Sequence, residues 1–413
     1  MNKKIILITS FIWSVTLSFA QNIPTNGLQI WLRADRGTTL SGNDVAKWAD
    51  QSGNKHLTYQ NKSGEQPELM KNKLNGLPVI YFDGNDWMES TLMFKPANSS
   101  ESTIFVVCKG EQIQSIVRIQ DGPFDQLVYP WGSHGSNFSV RNGSWKRVPA
   151  GLHKNTWNLG SASSSSQGIR TFRQRKLIDS AAGVGGIDSI PLYLGRWKNQ
   201  TEFTDAMVAE ILVYNVALGE NDHRKVETYL ANKWELPLTP DGLTAMSNSI
   251  NQIHLRWNDY SNNETGFEIY RSNSSGGSFQ LVGTTSTNDT TYIDTGLMNN
   301  TAYYYKVRAV NSNTFSEYSN ESSAKTLLVG SDDIKSDQTQ LYWSPQTKMI
   351  QVLGLDGDRV QIKVIDINGC LVKSVSTSNS GTIEFQALHK GMYLIKVFDL
   401  ETGRVLTRKL VVA

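Results

Sequence analysis

Apolar residues in this chain come in short runs separated by Gly, Asn and Ser. Between Asn22 and Leu236 the runs include Leu28-Gln29-Ile30-Trp31-Leu32, Pro78-Val79-Ile80-Tyr81-Phe82, Ser102 through Cys108, and Ile190-Pro191-Leu192-Tyr193-Leu194. Runs of this length bounded by turn residues predict many short strands packed as a β-sandwich. One stretch departs from the pattern. From Glu220 to Trp234, Val226, Tyr229, Leu230 and Trp234 recur at helical spacing, which predicts one short helix against an otherwise all-β domain. Pro237 to Pro240 read as a linker. Period-two alternation returns in Gln252–Trp257, Gly266–Arg271 and Tyr303–Val310, as half-buried strands require. Residues 328–340 are polar and loop-like, and alternation resumes from Leu341 to Ala413. The expected fold class is all-β, in three modules over residues 22–236, 241–327 and 341–413, with 328–340 as a linker.

The first 20 residues follow another rule. Lys3 and Lys4 precede an apolar run from Ile5 to Ala20 that is broken by Thr9, Ser10, Ser14 and Thr16 and ends Ser18-Phe19-Ala20. This reads as a signal peptide over residues 1–20, cleaved before Gln21. It falls short of the roughly 20 apolar residues of a membrane span, and no other stretch is long and apolar enough, so no transmembrane span is expected.

Composition narrows the partners. At 39% hydrophobic and 19% charged residues the chain is neither disordered nor collagen-like. Its 40 Lys+Arg stand against 38 Asp+Glu, and loss of Lys3 and Lys4 makes the mature chain neutral. That excludes the basic footprint of a nucleic-acid binder. The two cysteines, Cys108 and Cys370, each lie in an alternating apolar segment and are expected to be unpaired core residues.

Ordered motifs then add resemblances. Leu28 through Asp35, Trp48 through Asn54, Tyr81 through Asp86, Ala209 through Asn215 and Tyr229 through Trp234 together resemble the bacterial laminin-G-like branch of the concanavalin A-like jelly rolls. The resemblance implies a two-sheet jelly-roll β-sandwich with a concave face often used to hold carbohydrate. Residues 241–327, with Trp257 on an early strand and Gly296-Leu297 ahead of Tyr303, resemble a fibronectin type III β-sandwich. That likeness makes Tyr303 the tyrosine corner, its phenol bonding back to the preceding turn; Asn299 stands where the family often has Pro. Residues 341–413 form a small C-terminal β-sandwich resembling the sorting domain of type IX secretion cargo in Bacteroidetes. They carry Asp366-Ile367-Asn368-Gly369, Leu388 through Tyr393 and a terminal Lys409-Leu410-Val411-Val412-Ala413, with Tyr342-Trp343-Ser344-Pro345 replacing the usual Tyr-Pro-Asn-Pro opening. This implies passage through the periplasm to the outer-membrane surface or the medium, and a partner in the type IX machinery.

Catalytic chemistry is sparse in the sequence. Glycosidases need two carboxylates about 5–10 Å apart, yet no Glu-x-Asp-x-(x)-Glu run exists; Glu89, Glu202 and Glu210 stand singly, with a turn or inter-strand hydrogen bond expected of Glu210. His56, His134, His153, His223, His254 and His389 have no zinc-ligand spacing. Gly-x-Ser-x-Gly is missing. Asp83, Asn85 and Asp86 cluster oxygen ligands that calcium would accept, though their Asp-Gly-Asn-Asp order is also ordinary turn chemistry. No other cofactor is implied.

Aromatics are the remaining candidates. Trp31, Trp48 and Trp234 sit among apolar neighbours and are expected in the core. Trp87, Trp131, Trp145, Trp157 and Trp197 stand beside polar or loop residues, where an indole offers an apolar face to a sugar ring. Trp131, Trp145 and Trp197, with Arg141 and Arg196 nearby to bond hydroxyls, form the candidate binding set. The function expected is an exported, surface-displayed or released protein binding a polysaccharide, glycoconjugate or matrix polymer. A carbohydrate-active hydrolase or lyase, and a purely structural adhesion or surface-layer protein, are the alternatives.

Overall fold

A computed structural model describes residues 23–95, 97, 101–112, 116–121, 124–131, 137–142, 144–182, 190–195, 204–247, 249–312, 314–327, 340–344, 349–353, 359–377, 381–384, 388–389, 391–400 and 405–412. Within these, the side chains of 112, 119–147, 190, 340–353, 377, 381–384, 399, 406 and 411–412 are outside the description. The chain forms two compact units: residues up to 239 with 260–265 and 309–317, and residues 240–259, 266–308 and 318–413.

The first unit holds strands β1 (Leu28–Arg33), β2 (Thr38–Ser41), β3 (Asp44–Ala49), β4 (Leu57–Tyr59), β5 (Glu68–Leu74), β6 (Leu77–Asp83), β7 (Met88–Phe94), β8 (Ser102–Gln112) and β9 (Val117–Asp121). They are followed by β10 (Phe124–Trp131), β11 (Asn137–Asn142), β12 (Ser144–Pro149), β13 (Asn158–Ser165), β14 (Gly168–Arg173), β15 (Lys176–Ala181), β16 (Ile190–Leu194) and β17 (Asp205–Tyr214), then helix α1 (Glu220–Trp234). The helix spans the residues that the periodicity predicts.

All pairings are antiparallel and, apart from one bridge between β3 and β5 at Asp44 and Glu68, fall into two layers. One runs β15–β14–β13–β8–β17, with β1 and β6 sharing the far edge of β17 and β5 beside β6. The other runs β2–β3–β4–β7–β16–β9–β10–β11–β12. Alternation explains why they stack. Ile104, Val106 and Cys108 of β8 point into a core shared with Trp48, Leu92, Phe94, Val117, Leu192 and Leu194 from the second layer. Phe105 and Val107, the intervening residues, face the other way and join Trp31, Leu212 and Tyr214 under Val226, Leu230 and Trp234 of the helix. The central strands β8 and β17 are therefore buried on both faces, which accounts for their near-continuous apolar runs.

A β-bulge interrupts this alternation in β17. Val208 pairs with Cys108 and Glu210 with Val107, so Ala209 is the extra residue. Ala206 and Val208 face the inter-sheet core before the bulge, and Ile211 and Val213 face it after. Glu210 is left on the helix side.

The second unit contains a sandwich of β18 (Asp241–Met246), β19 (Gln252–Asn258) and β22 (Thr291–Thr295) with β20 (Gly266–Ser272), β21 (Gln280–Thr284), β23 (Ala302–Val310) and β24 (Ser322–Lys325). Trp257 and Phe267 pack at 5.4 Å between ring centroids. The Tyr303 hydroxyl accepts the Met298 backbone N–H at 3.0 Å, the corner bond expected of it. Last come β25 (Gln340–Ser344), β26 (Met349–Leu353) and β29 (Gly381–Glu384) in one sheet, and β28 (Leu371–Thr377), β27 (Val360–Asp366), β30 (Gly391–Asp399) and β31 (Val405–Val412) in another.

Cys108 is buried and free as expected, but Cys370 is exposed. The reason is local. Gly369 has φ +83, and the Asp366 carboxylate accepts the N–H of Asn368 and of Cys370, so Cys370 closes a turn rather than filling a core.

Candidate functional site

The second layer of the first unit has one face on the core, and its other face carries a continuous row. Successive register pairs run Lys47, Tyr59, Glu89, Tyr193, Arg118, Val128, Ser139 and Arg147 across β3, β4, β7, β16, β9, β10, β11 and β12. Met88, Leu92, Val117, Leu192 and Leu194, which alternate with members of this row, are core residues. The row therefore lies on the face turned away from the core. Even so, Tyr193 is 7% and Arg118 1% exposed.

Trp87 contributes to that cover. Its ring lies 6.4 Å from that of Tyr193 at an interplanar angle of 40°. It is held by its indole N–H, which donates to Glu65 at 2.5 Å, and by its carbonyl, which accepts from the Gln60 amide at 3.2 Å. Tyr193 and Arg118 are thus buried, and the partly exposed groups on this face are Trp87, Tyr59 and Glu89, an indole, a phenol and a carboxylate that can stack on a sugar ring and bond its hydroxyls.

Backbone register extends the row to part of the candidate set. Arg141 pairs with Trp145, and Trp131 with Asn137. Arg141 and Asn137 each lie two residues from Ser139, so the three positions 131, 141 and 145 share the face of Arg118 and Tyr193. Trp131 ends β10 and Trp145 lies in β12, so both stand in strands rather than in the loops their neighbours suggest. The side chains of Trp131, Arg141 and Trp145 lie outside the described residues, as do Arg196 and Trp197 altogether. The latter two follow Gly195, which has φ +86 and where a Cβ would come within 2.5 Å of the Phe82 ring. Only glycine fits that turn. Trp157 is different: it is 5% exposed and packs in the core beneath the helix.

Asp83, Asn85 and Asp86 form a turn. The Asp83 carboxylate accepts the Asn85 N–H at 2.9 Å and that of Asp86 accepts the Asp83 N–H at 3.0 Å. Gly84 adopts φ +99 between them. No group of three His, Cys, Asp or Glu side chains is placed to hold a metal among the described residues. Burial, reinforced by the neighbouring Asp83 charge and opposed by its N–H, pushes the Asp86 carboxyl up to about 7.

Two buried polar clusters lie under the helix. Glu210 accepts from Trp31 Nε1 at 2.6 Å, Tyr229 Oη at 2.9 Å, Trp234 Nε1 at 2.9 Å and Lys233 Nζ at 2.5 Å. Four donors fill the acceptor capacity of a carboxylate. Lys233 also bonds Asp35 at 2.8 Å, and Arg33 does likewise. Burial alone would raise the Asp35 carboxyl, but its bond to Arg33 and the charge of Lys233 outweigh that and hold it below the usual range. This cluster clamps α1 to β1 and β17.

In the second cluster, Ser161 Oγ lies 3.0 Å from His223 Nε2, and His223 Nδ1 lies 3.5 Å from Glu227 Oε2. A serine, imidazole and carboxylate in this order have the connectivity of a nucleophile, base and orienting acid. Access decides against that chemistry: the three are 1%, 5% and 2% exposed, and the imidazole is packed by Phe105 and Phe172 at 4.7 and 4.6 Å. A substrate carbonyl cannot reach Ser161 in this packing. The sequence gives no motif for the cluster, because strand and helix bring together residues 62 apart.

Comparison with known families bears on the second unit. Residues 238–325 match the fibronectin type III domain, and residues 340–413 match the secretion system C-terminal sorting domain. The chain ends in a type IX sorting domain. It is therefore cargo exported to the cell surface or released. No curated protein matches the chain. Among solved structures, a Fn3-like protein from Clostridium thermocellum shares 34% identity over 22% of this chain and 93% of its own, with a TM-score of 0.20. Domain 4 of AbnA, an extracellular arabinanase from Geobacillus stearothermophilus solved with arabinotriose, is 15% identical over 47% of this chain and 95% of its own, with a TM-score of 0.37. Trypanosoma rangeli sialidase, solved with sialic acid, is 14% identical over 51% of this chain and 34% of its own, with a TM-score of 0.36. No helix among the described residues is long and apolar enough to cross a membrane.

Proposed function

We propose that residues 22–236 are a jelly roll that binds a polymeric glycan on the outer face of its second layer, and that the tag delivers this binding protein to the cell exterior. The observation that carries the reading is the register that sets positions 131, 141 and 145 on the same face of the layer as the partly exposed Tyr59, Trp87 and Glu89. Aromatic planes with interspersed arginine and carboxylate suit a pyranose chain, which offers apolar faces and hydroxyl edges in alternation. Open faces of this kind bind with dissociation constants near 1 mM to 1 µM, about 4–8 kcal/mol.

Calorimetry of the full mature chain against plant, algal and host polysaccharides tests it. Trp131→Ala or Trp145→Ala removes one stacking plane, about 1–2 kcal/mol, and is expected to weaken binding five- to thirty-fold with an unchanged melting temperature. If both variants lower the melting temperature and leave affinity alone, these indoles are packing residues and the reading fails.

A further inference from the structure

One face of the sheet β28–β27–β30–β31 carries several exposed apolar residues among the described residues. Val360, Ile362, Val364, Tyr393, Ile395 and Val397 alternate along β27 and β30 and form its core. The opposite face of a half-solvated antiparallel sheet ordinarily alternates to polar. Here Ile365 sits in register between Leu371 and Leu394, which are 57% and 42% exposed. Met392 and Val405 lie on the same face and are also exposed.

Its charges are one-sided. Lys363 stands directly across from Lys396, and Lys409 across from Leu394. No Asp or Glu occupies this face among the described residues of the four strands. Like charges directly opposed on neighbouring strands weaken a sheet, and an exposed apolar row invites aggregation. Lys363 Nζ lies 4.9 Å from the centre of the Phe398 ring, a contact within the module, but the opposed lysines and the exposed apolar row together suit a partner that is apolar and carries a carboxylate.

We propose that this face is where the type IX machinery holds its cargo, through an apolar surface that sets a carboxylate against Lys363 and Lys396. The inference rests on residues 340–413 being the sorting domain, the part of the chain that the machinery must read. A second copy of the chain fits less well, since the face paired with itself brings lysines together.

The test follows the full-length protein in a type IX-competent host, comparing periplasmic with surface and medium fractions. Lys363→Gln with Lys396→Gln relieves the like-charge contact and removes the contact of Lys363 with the Phe398 ring, two opposed effects of similar size, so the melting temperature should change little. Export should nevertheless fall about ten-fold, the loss expected from a charge-assisted contact. Leu371→Ser with Leu394→Ser should lower export similarly, and Arg256→Glu, outside the tag, should not. If deleting residues 341–413 strands the protein while both double variants are exported in full, the sorting reading stands and this face is wrong. If the deletion itself leaves export unchanged, the sorting reading falls too. Loss of a concentration-dependent dimer in the double variants with full export would assign the face to self-association and overturn the proposal.

Discussion

Asp86 is a buried acid whose position costs stability at neutral pH. Its carboxyl titrates at about 7 in the folded chain, against about 3.9 when unfolded. The folded state therefore holds the proton more tightly between these values, and stability falls as pH rises across that window. The contribution is complete below about pH 4 and lost above about pH 7. Asp86→Asn keeps an oxygen for the Asp83 N–H and removes the titration. Denaturant melts are expected to find the variant about 1–3 kcal/mol more stable than wild type at pH 8 and equal to it at pH 4. An equal difference at both pH values would mean that the carboxyl does not titrate there. Glu210 is the converse case, a carboxylate with four donors. Glu210→Ala leaves two indoles, a phenol and part of the Lys233 charge without an acceptor. The expected loss is about 3–5 kcal/mol, read as a lower denaturant midpoint.

At the scale of elements, α1 shows what a linear pattern carries and what it omits. Val226, Leu230 and Trp234 gave the helix away because burial on one face imposes the 3.6-residue period. Its end was less legible. Glu235 caps the helix at φ +49 with its N–H bonded to the Ala231 carbonyl, a left-handed position that glycine normally fills. A non-glycine residue there carries about 1–2 kcal/mol of strain, and glycine loses about 0.5–1 kcal/mol through a more disordered unfolded chain. Relief of strain wins narrowly, so Glu235→Gly is expected to stabilise by about 0.5–1 kcal/mol in thermal or denaturant melts. The bulge at Ala209 was equally hidden, because it depends on what β8 offers opposite rather than on residue type. Polar neighbours also hide the burial of Trp157, whose indole joins the core beneath the helix with Phe105 and Trp234, residues distant in sequence. Trp131, Arg141 and Trp145 were legible as residue types. Their placement on one face required the register of β10, β11 and β12.

For the whole molecule, we propose that export is accompanied by cleavage in the segment between the fibronectin module and the tag. Hydrogen bonds from Thr326 N–H to the Thr301 carbonyl and from Leu327 N–H to the Ser249 carbonyl tie the chain into the sandwich up to residue 327. The next ladder starts at Gln340, which pairs with Leu353. Cleavage between these points would leave the hydrogen bonds described on either side intact, and polar, loop-like sequence is where proteases act. The resemblance of residues 1–20 to a signal peptide sets the other terminus. Mass spectrometry of the protein recovered from the cell surface or medium is therefore expected to give a first residue of Gln21 and a last residue between Leu328 and Gln340, whereas the periplasmic form in a secretion-deficient host should still end at Ala413. Exported protein that retains residues 341–413 would mean that the tag directs transport without being removed.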